Sequence, residues 1–189
     1  MSDPMSNLLE AMQIAQRDAG PPDAALRLDR LERMIRLLDA DAERFCEALD
    51  ADFGGRSRLT SLMSDLLATT DALRYAKRGL RGWMRPQRRR GVFPFTLFGA
   101  RVEVQRAPKG VVGILGTWNV PLFTTISPLA FVLAAGNRAM IKPSETVPRT
   151  SELLASTIAA SFAPTRSRWC RAVRRSPRAS QRCRSTTSC

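Results

Sequence analysis

Two changes of hydrophobic pattern between residues 109 and 145 predict a strand, a helix and a second strand. A short apolar run, residues 111–115, is bounded by Gly110 and Gly116 and is typical of a buried strand. Apolar residues then recur at helical spacing, and a second apolar run begins at Ala139. The helical positions are Leu122, Ile126, Leu129 and Leu133, followed by Ala134-Ala135-Gly136-Asn137. A strand–helix–strand unit of about 35 residues indicates that the two strands are parallel.

Upstream of this unit the pattern predicts a pair of long helices. One helix is expected over residues 23–53 and a second after Ser57, with Gly54 and Gly55 between them. Their apolar faces are Leu28, Leu31, Ile35, Leu38, Phe45 and Leu49 in the first helix, and Leu62, Leu66, Leu73 and Leu80 in the second. Helical pairs of this kind are more often a scaffold than a site.

The segments on either side of the central unit carry turn signals. Residues 86–91 are charged and predict a solvated loop, and the next two runs, Phe95–Phe98 and Arg101–Gln105, predict the strands of a β-hairpin. Beyond residue 145 another helix is expected, with Thr146 as its N-cap and Pro148 in its first turn.

A polar cluster follows each of the two predicted parallel strands. The first cluster contains Trp118 and Asn119, and the second runs from Lys142 to Glu145. Because ligands of open parallel sheets bind beyond the carboxyl ends of the strands, both clusters are expected at one edge. The glycine spacing over residues 110–116 matches neither of the common phosphate-binding loops, so a buried strand is the better interpretation there.

The order of several short segments resembles the aldehyde dehydrogenase superfamily. These segments are Trp118-Asn119, Pro121-Leu122, Ala134-Ala135-Gly136-Asn137 and Lys142-Pro143-Ser144-Glu145. The resemblance covers residues 22–162 and is closest to the coniferyl-aldehyde dehydrogenase subgroup. It implies an α/β fold, namely part of a Rossmann-like parallel-sheet NAD(P)-binding domain preceded by a helical pair and a β-hairpin. Full members of the family are more than twice as long, so an amino-terminal part is expected here.

The resemblance also implies a reaction, the NAD(P)-dependent oxidation of an aldehyde to a carboxylic acid through a thiohemiacetal and a thioester. Asn119 is the expected catalytic residue, because its amide NH₂ group can donate to the oxyanion that forms when a thiolate attacks an aldehyde. A turn-forming role is the structural alternative for Asn119.

The residues expected to bind the cofactor are Gly116, Thr117, Trp118, Lys142, Ser144 and Glu145. In the family, residues at the positions of Lys142 and Glu145 hold the adenosine ribose; a surface salt bridge between them is the structural alternative. The carboxylate of Glu145 favours NAD over NADP, because it repels a 2′-phosphate. Thr117 stands where the family frequently has proline.

Composition excludes several other chemistries. The 189 residues contain no histidine, which removes Ser-His-Asp catalysis and the HExxH zinc site. The four cysteines form no CxxC pair, so no metal site is expected. The family's cysteine nucleophile and glutamate base have no matching motif in this sequence, and the chain alone is therefore expected to be inactive.

Residues 164–189 differ in composition from the rest of the chain. They hold eight arginines and no acid, which leaves +5 of the net charge of +13 for residues 1–163. We therefore divide the chain into a partial cofactor-binding domain, residues 1–163, and an Arg-rich tail expected to be disordered. Such a composition is expected of G+C-rich DNA read in the wrong frame, and a frameshift near Ala163 is the hypothesis.

Location and partners complete the expectations. No signal-peptide pattern is present and the longest apolar region, residues 121–135, is too short to span a bilayer, so a cytoplasmic protein is expected. The family resemblance implies an aldehyde substrate and, for intact members, a homodimer. The alternative function is a non-catalytic α/β module whose basic tail binds polyanions non-specifically. Specific nucleic-acid recognition is not expected, since Trp169 is the tail's one aromatic residue.

Overall fold

The computed structural model describes residues 4–162 and 170–172, in which helices pack around a small parallel sheet. The helices are α1 (Pro4–Ala19), α2 (Ala24–Ala40), α3 (Ala42–Phe53), α4 (Arg58–Thr60), α5 (Ala68–Trp83), α6 (Pro121–Ala134) and α7 (Pro148–Phe162). The strands are β1 (Gln87–Arg89), β2 (Val102–Val104), β3 (Val111–Leu115), β4 (Arg138–Lys142) and β5 (Cys170–Ala172). A π-helical segment (Ser61–Leu67) lies between α4 and α5.

The helix predicted over residues 23–53 is in fact two helices. Asp23 caps α2 by accepting a hydrogen bond from the N–H of Leu26. At Asp41, ψ changes to 16°, so the chain leaves the helical path there and re-enters it as α3. The prediction that glycine ends this region is confirmed, because Gly54 has a left-handed φ of 67° that favours a residue without a Cβ.

The second predicted helix begins where expected. The side chain of Ser57 accepts a hydrogen bond from the N–H of Thr60, and α4, the π-helical segment and α5 then follow without a break. The apolar stripe is buried at Leu66, Leu73 and Leu80, as predicted. What the periodicity did not show is the π-helical segment itself, whose wider turn changes which residues face the core.

The predicted strand–helix–strand unit is confirmed. β3 and β4 are parallel neighbours, with Val111 in register with Arg138 and Leu115 in register with Lys142. Their connection, α6, packs on both strands and also on α5 and α2. The predicted apolar positions of α6 are fully buried.

The sheet order is β3-β4-β5, and β5 belongs to the Arg-rich part of the sequence. Residues 170–172 pair in parallel with Ala139, Met140 and Ile141 of β4. The open edge of β4 offers main-chain donors and acceptors, which any sequence can pair with, so side-chain composition did not reveal this strand. The rest of the predicted tail lies outside the described residues.

The predicted hairpin exists with a different first strand. Residues 95–98 form a 3-10 turn rather than a strand. The partner of β2 is β1, with Gln87 opposite Val104 and Arg89 opposite Val102. Residues 87–89, interpreted from their charge as a loop, pair through their main chain. A salt bridge between the opposed residues Arg88 and Glu103 is compatible with this exposed antiparallel pair.

One apolar core joins the helices to the sheet. Its members come from α2, α3, α5, α6, α7 and both strands of the central unit, and include Leu31, Phe45, Leu73, Leu129, Ile141 and Ile158. The helix α1 is held to the start of β4 by Arg138, which donates to the side chain of Gln16 and to the carbonyl oxygen of Ala15. Within the described part of the chain, no helix is long and apolar enough to cross a membrane.

Candidate active site

The carboxyl ends of β3 and β4 bring the two polar clusters side by side. The N–H of Gly116, directly after β3, donates to the carbonyl oxygen of Lys142 at 2.9 Å. The prediction that both clusters lie at one edge of the sheet is therefore confirmed. We call this region, residues 116–119 and 142–145, the site edge.

Close packing at the site edge requires a glycine at position 116. A Cβ atom there would lie 2.4 Å from Oγ1 of Thr125 in α6 and 3.4 Å from Cα of Pro143. The first distance is far below van der Waals contact, so a larger residue would force the buried Thr125 side chain or the elements around it to shift. Gly116 thus sets the spacing between the two clusters.

Asn119 lies in an exposed loop, and its side-chain oxygen has a defined partner. Oγ1 of Thr117 donates to Oδ1 of Asn119 at 2.7 Å. Two oxygens so close need a hydrogen between them, and only the hydroxyl supplies one. In the described part of the chain nothing accepts a hydrogen bond from the amide NH₂ of Asn119, so these donors can serve an incoming oxygen. Thr117 is itself held by Thr124, whose Oγ1 accepts from the N–H of Thr117 at 3.2 Å.

A buried ion pair lies beneath this loop. Nη2 of Arg56 is 2.5 Å from Oδ2 of Asp65, and the exposed fractions of the two side chains are 9% and 0%. Nη1 of Arg56 donates to the carbonyl oxygen of Asn119 at 2.8 Å. The other carboxylate oxygen of Asp65 accepts the N–H of Leu122 at 3.0 Å. One arginine and one aspartate thus connect the π-helical segment, the Asn119 loop and the start of α6.

Asp65 also serves as the N-terminal cap that α6 lacks locally. Val120 precedes the helix and supplies no side-chain hydrogen bond, and Pro121 occupies its first turn. Burial raises the pKa of Asp65, while the charge of Arg56 and the N–H groups of Leu122 and Phe123 act in the opposite direction. Negative charge at a helix N-terminus is favourable, so the carboxylate stabilises the point where the loop enters α6.

At the second cluster the expected ribose-binding residues contact each other. Nζ of Lys142 lies 2.5 Å from Oε1 of Glu145, and 43% and 46% of the two side chains are exposed. The surface salt bridge considered as the structural alternative is therefore formed. Because about half of each side chain remains accessible, the same two groups can still contact a ligand.

The helix after the second cluster is capped from a distant part of the chain. Asp52, near the end of α3, accepts the N–H groups of Arg149 and Thr150 at 3.1 and 2.8 Å. The prediction of Thr146 as the cap is wrong, because a carboxylate from another helix accepts the first N–H groups of α7. Ser144 is fixed by main-chain contact, its carbonyl oxygen accepting from Oγ of Ser151 at 2.8 Å.

The structure brings together all the residues predicted for the site. Gly116, Thr117, Trp118 and Asn119 form one side of the site edge, and Lys142, Ser144 and Glu145 form the other. Trp118 is 58% exposed there. Sequence reasoning missed Arg56, Asp65 and Asp52. For Asp65 a signal existed, since it lies three positions after Leu62 of the predicted buried stripe, on the same helical face; for Arg56 there was none.

Comparison with known proteins identifies relatives. A sequence model described as "Aldehyde dehydrogenase family" matches residues 4–166. A coniferyl aldehyde dehydrogenase of Pseudomonas sp. (strain HR199 / DSM 7063) is 41% identical over 158 residues, which is 84% of this chain and 32% of the relative. A probable coniferyl aldehyde dehydrogenase of Caulobacter vibrioides is also 41% identical, over 84% of this chain and 33% of that protein. The chain thus spans about a third of the length of these curated relatives.

Solved structures share the fold. Staphylococcus aureus AldH, in a substrate-bound state, superposes with a TM-score of 0.81 at 20% identity, over 91% of this chain and 36% of that chain. A succinic semialdehyde dehydrogenase of Streptococcus pyogenes in complex with NADP+ superposes with a TM-score of 0.76 at 15% identity, over 94% of this chain and 37% of that chain. A Mycobacterium tuberculosis aldehyde dehydrogenase complexed with NAD+ superposes with a TM-score of 0.72 at 24% identity, over 87% of this chain and 33% of that chain.

Proposed function

The chain belongs to the aldehyde dehydrogenase family, and on that premise we propose that it carries the NAD(P)-binding part of an enzyme that oxidises an aldehyde to a carboxylic acid. One observation carries the proposal. The hydrogen bond from Gly116 to Lys142 holds the Asn119 loop beside the Lys142–Glu145 pair, so a donor for an oxyanion and groups for a ribose lie at one edge.

On the aldehyde side, Asn119 would act as the oxyanion donor. When a thiolate attacks the carbonyl carbon, negative charge develops on the aldehyde oxygen, and the amide N–H of Asn119 stabilises it. The contact from Thr117 keeps the amide oxygen turned away from that charge. The residues of this chain include no match to the family's cysteine and glutamate motifs, and we propose that the 189 residues alone are inactive.

On the cofactor side, Lys142 and Glu145 would hold the adenosine ribose. An ammonium donates and a carboxylate accepts, which suits a pair of hydroxyl groups, and both side chains are half exposed. Ser144 would lie beside the ribose, and Gly116, Thr117 and Trp118 would contact the cofactor from the other side of the site edge. Bound NAD or NADP supplies the hydride acceptor. We propose NAD, because Glu145 repels a 2′-phosphate.

The substrate class is proposed from the relatives. Two of them carry coniferyl aldehyde in their names, which supports an aromatic aldehyde of that type as the substrate of the whole enzyme.

A cytoplasmic location and a homodimer are proposed for the whole enzyme as well. Exposed apolar side chains in and beside the β1–β2 ribbon support the association of two subunits. Phe98 is 85% exposed, and Val102 and Val104 of β2 are nearly half exposed.

A titration of the isotope-labelled chain with NAD, followed by NMR, tests the cofactor proposal. We expect concentration-dependent shifts of the main-chain amides at 116–118 and 142–145, because a ribose contacting Lys142 and Glu145 lies over both segments. Glu145→Gln should weaken NAD more than NADP, whose 2′-phosphate no longer meets a carboxylate. Glu43→Gln, which changes an exposed ion pair with Arg58 elsewhere, is the matched control. Shifts confined to residues outside the site edge would overturn the proposal.

The Arg-rich tail is proposed to be read out of frame from near Ala163. Its composition supports this, since residues 164–189 contain no Leu, Ile, Phe, Met, Gly, Asp or Glu. Resequencing the corresponding DNA tests it. An extra or missing base, with a family cysteine motif in the recovered frame, is the expected result; a single intact frame through these codons contradicts it.

A further inference from the structure

We propose that Arg56 and Asp65 are positioning residues for Asn119, a role that rests on the function proposed above for the Asn119 amide. Neither residue lies in the site edge. They act through the hydrogen bond from Arg56 to the Asn119 carbonyl oxygen, 2.8 Å long, and through the Asp65 carboxylate that holds the guanidinium in place, 2.5 Å away.

The π-helical segment brings Asp65 to this place. The segment Ser61–Leu67 contains Asp65 near its centre, and the side chain is completely buried. Isolated π-helical turns within α-helices are frequent at functional sites, because the wider turn redirects a side chain that regular spacing would place elsewhere. Here the redirected side chain accepts the N–H of Leu122, two residues beyond the loop.

Arginine is the residue type that this geometry needs. Its planar guanidinium presents donors in fixed directions, so Nη1 and Nη2 can contact acceptors on two different elements at once. The ring of Phe53 lies 4.7 Å from the guanidinium carbon and covers one face. A lysine could pair with Asp65, but its single ammonium on a flexible stem would not hold the Asn119 carbonyl in the same fixed direction.

The consequence for Asn119 is a loop held at both its main chain and its side chain. Arg56 fixes the carbonyl oxygen, and Thr117 fixes the amide oxygen at 2.7 Å. An oxyanion donor has to be in place before charge develops, and small displacements cost much of its effect. Because Asn119 is otherwise exposed, the Arg56 contact supplies the rigidity that the loop lacks by itself.

NMR relaxation of the full 189-residue chain tests the inference without cofactor or substrate. Order parameters of the Trp118, Asn119 and Val120 amides, and the couplings that report χ1 of Asn119, are compared in wild type, Arg56→Lys and Arg56→Ala. We expect order parameters of about 0.85 in the wild type and a fall below about 0.6 in both variants, with χ1 averaging. Arg56→Lys should recover most of the melting temperature lost in Arg56→Ala, yet not the order of the loop.

A nearby arginine provides the control. Arg58 forms an exposed ion pair with Glu43 only two positions along the chain, and Arg58→Lys should leave the loop signals unchanged. If the Asn119 loop stays ordered in Arg56→Lys, or if Arg58→Lys disorders it equally, the inference is wrong. Should Arg56→Ala not fold, the comparison of the two lysine variants decides the question. NAD binding is measured separately, so loss of the proposed function and loss of this inference give different results.

Discussion

The guanidinium of Arg56 donates a hydrogen bond to the main-chain oxygen of Asn119, although 63 positions separate the two residues in the chain. Through this contact Arg56, which lies between α3 and α4 and outside the site edge, is joined to the Asn119 loop. Asp52, near the end of α3, likewise makes a contact between distant parts of the chain, because it caps α7. Charged residues outside the site edge thus contact the Asn119 loop and the helix that follows residues 142–145, and the predictions below test these contacts.

Replacing Asp65 by alanine should destabilise the fold by about 3–5 kcal/mol, because the change leaves the Arg56 charge without its partner and the Leu122 N–H unsatisfied. Denaturant unfolding followed by circular dichroism measures the loss. Asp71→Ala, an exposed acid on the following helix, should change stability by less than about 0.5 kcal/mol. Equal effects of the two substitutions would show that the buried pair contributes nothing particular.

Replacing Asp52 by alanine should cost about 1 kcal/mol, the typical effect of losing a helix N-cap. Faster hydrogen exchange is expected at the amides of Arg149 and Thr150, because their N–H groups donate hydrogen bonds to the Asp52 carboxylate. Asp52→Asn keeps an acceptor oxygen and should show a smaller effect. Unchanged exchange at these two amides in Asp52→Ala would contradict the capping role.

Replacing Gly116 by alanine should destabilise the chain by about 1–3 kcal/mol, because the new methyl group overlaps Oγ1 of Thr125. Gly113→Ala, within β3 and three positions before Gly116, is the control: a Cβ atom there has no neighbour within 4 Å. Thermal unfolding compares the two. Combining Gly116→Ala with Thr125→Ala should recover part of the loss, and a double variant no more stable than Gly116→Ala would refute the steric cause.

Ending the chain at residue 162 should lower its stability by about 1–3 kcal/mol, because β4 then loses the main-chain hydrogen bonds to β5. By contrast, the disordered tail expected from composition implies no loss of stability when residues 164–189 are removed. A chain ending at residue 173 keeps β5 and should unfold like the full one. Equal melting temperatures for all three chains would favour the composition-based expectation over the observed pairing.

The purified 189-residue chain should not reduce NAD or NADP when coniferyl aldehyde or another aldehyde is added. Hydride transfer requires a thiohemiacetal on a positioned sulfur, and Asn119 is present without the nucleophile that it would serve. Absorbance of the reduced nicotinamide is the measurement. In an enzyme continued in the recovered frame, Asn119→Ala should reduce turnover by about a hundredfold. Aldehyde-dependent turnover that survives alkylation of the four cysteines would contradict this mechanism.

The sequence by itself determined the central unit and the position of the two polar clusters at one edge of it. Apolar runs at 111–115 and 139–141, with helical spacing between them, predict a buried strand–helix–strand arrangement, and the structure confirms it. Parallel strands place their carboxyl ends together, so the neighbourhood of Asn119 and Lys142 followed from the order of elements alone. Local patterns of this kind are visible in the sequence, because the burial of apolar side chains depends on the periodicity within one element.

Only the tertiary structure decided the long-range contacts around the site edge. The break at Asp41, the pairing of residues 87–89 with β2 and the strand at 170–172 depend on which main-chain groups happen to be within reach. The contacts that Arg56 and Asp65 make with the Asn119 loop and the start of α6 likewise join segments distant in the chain. The partner of a charged residue is determined by distance in space. The packing of the core sets that distance, and the order of residues alone does not specify it.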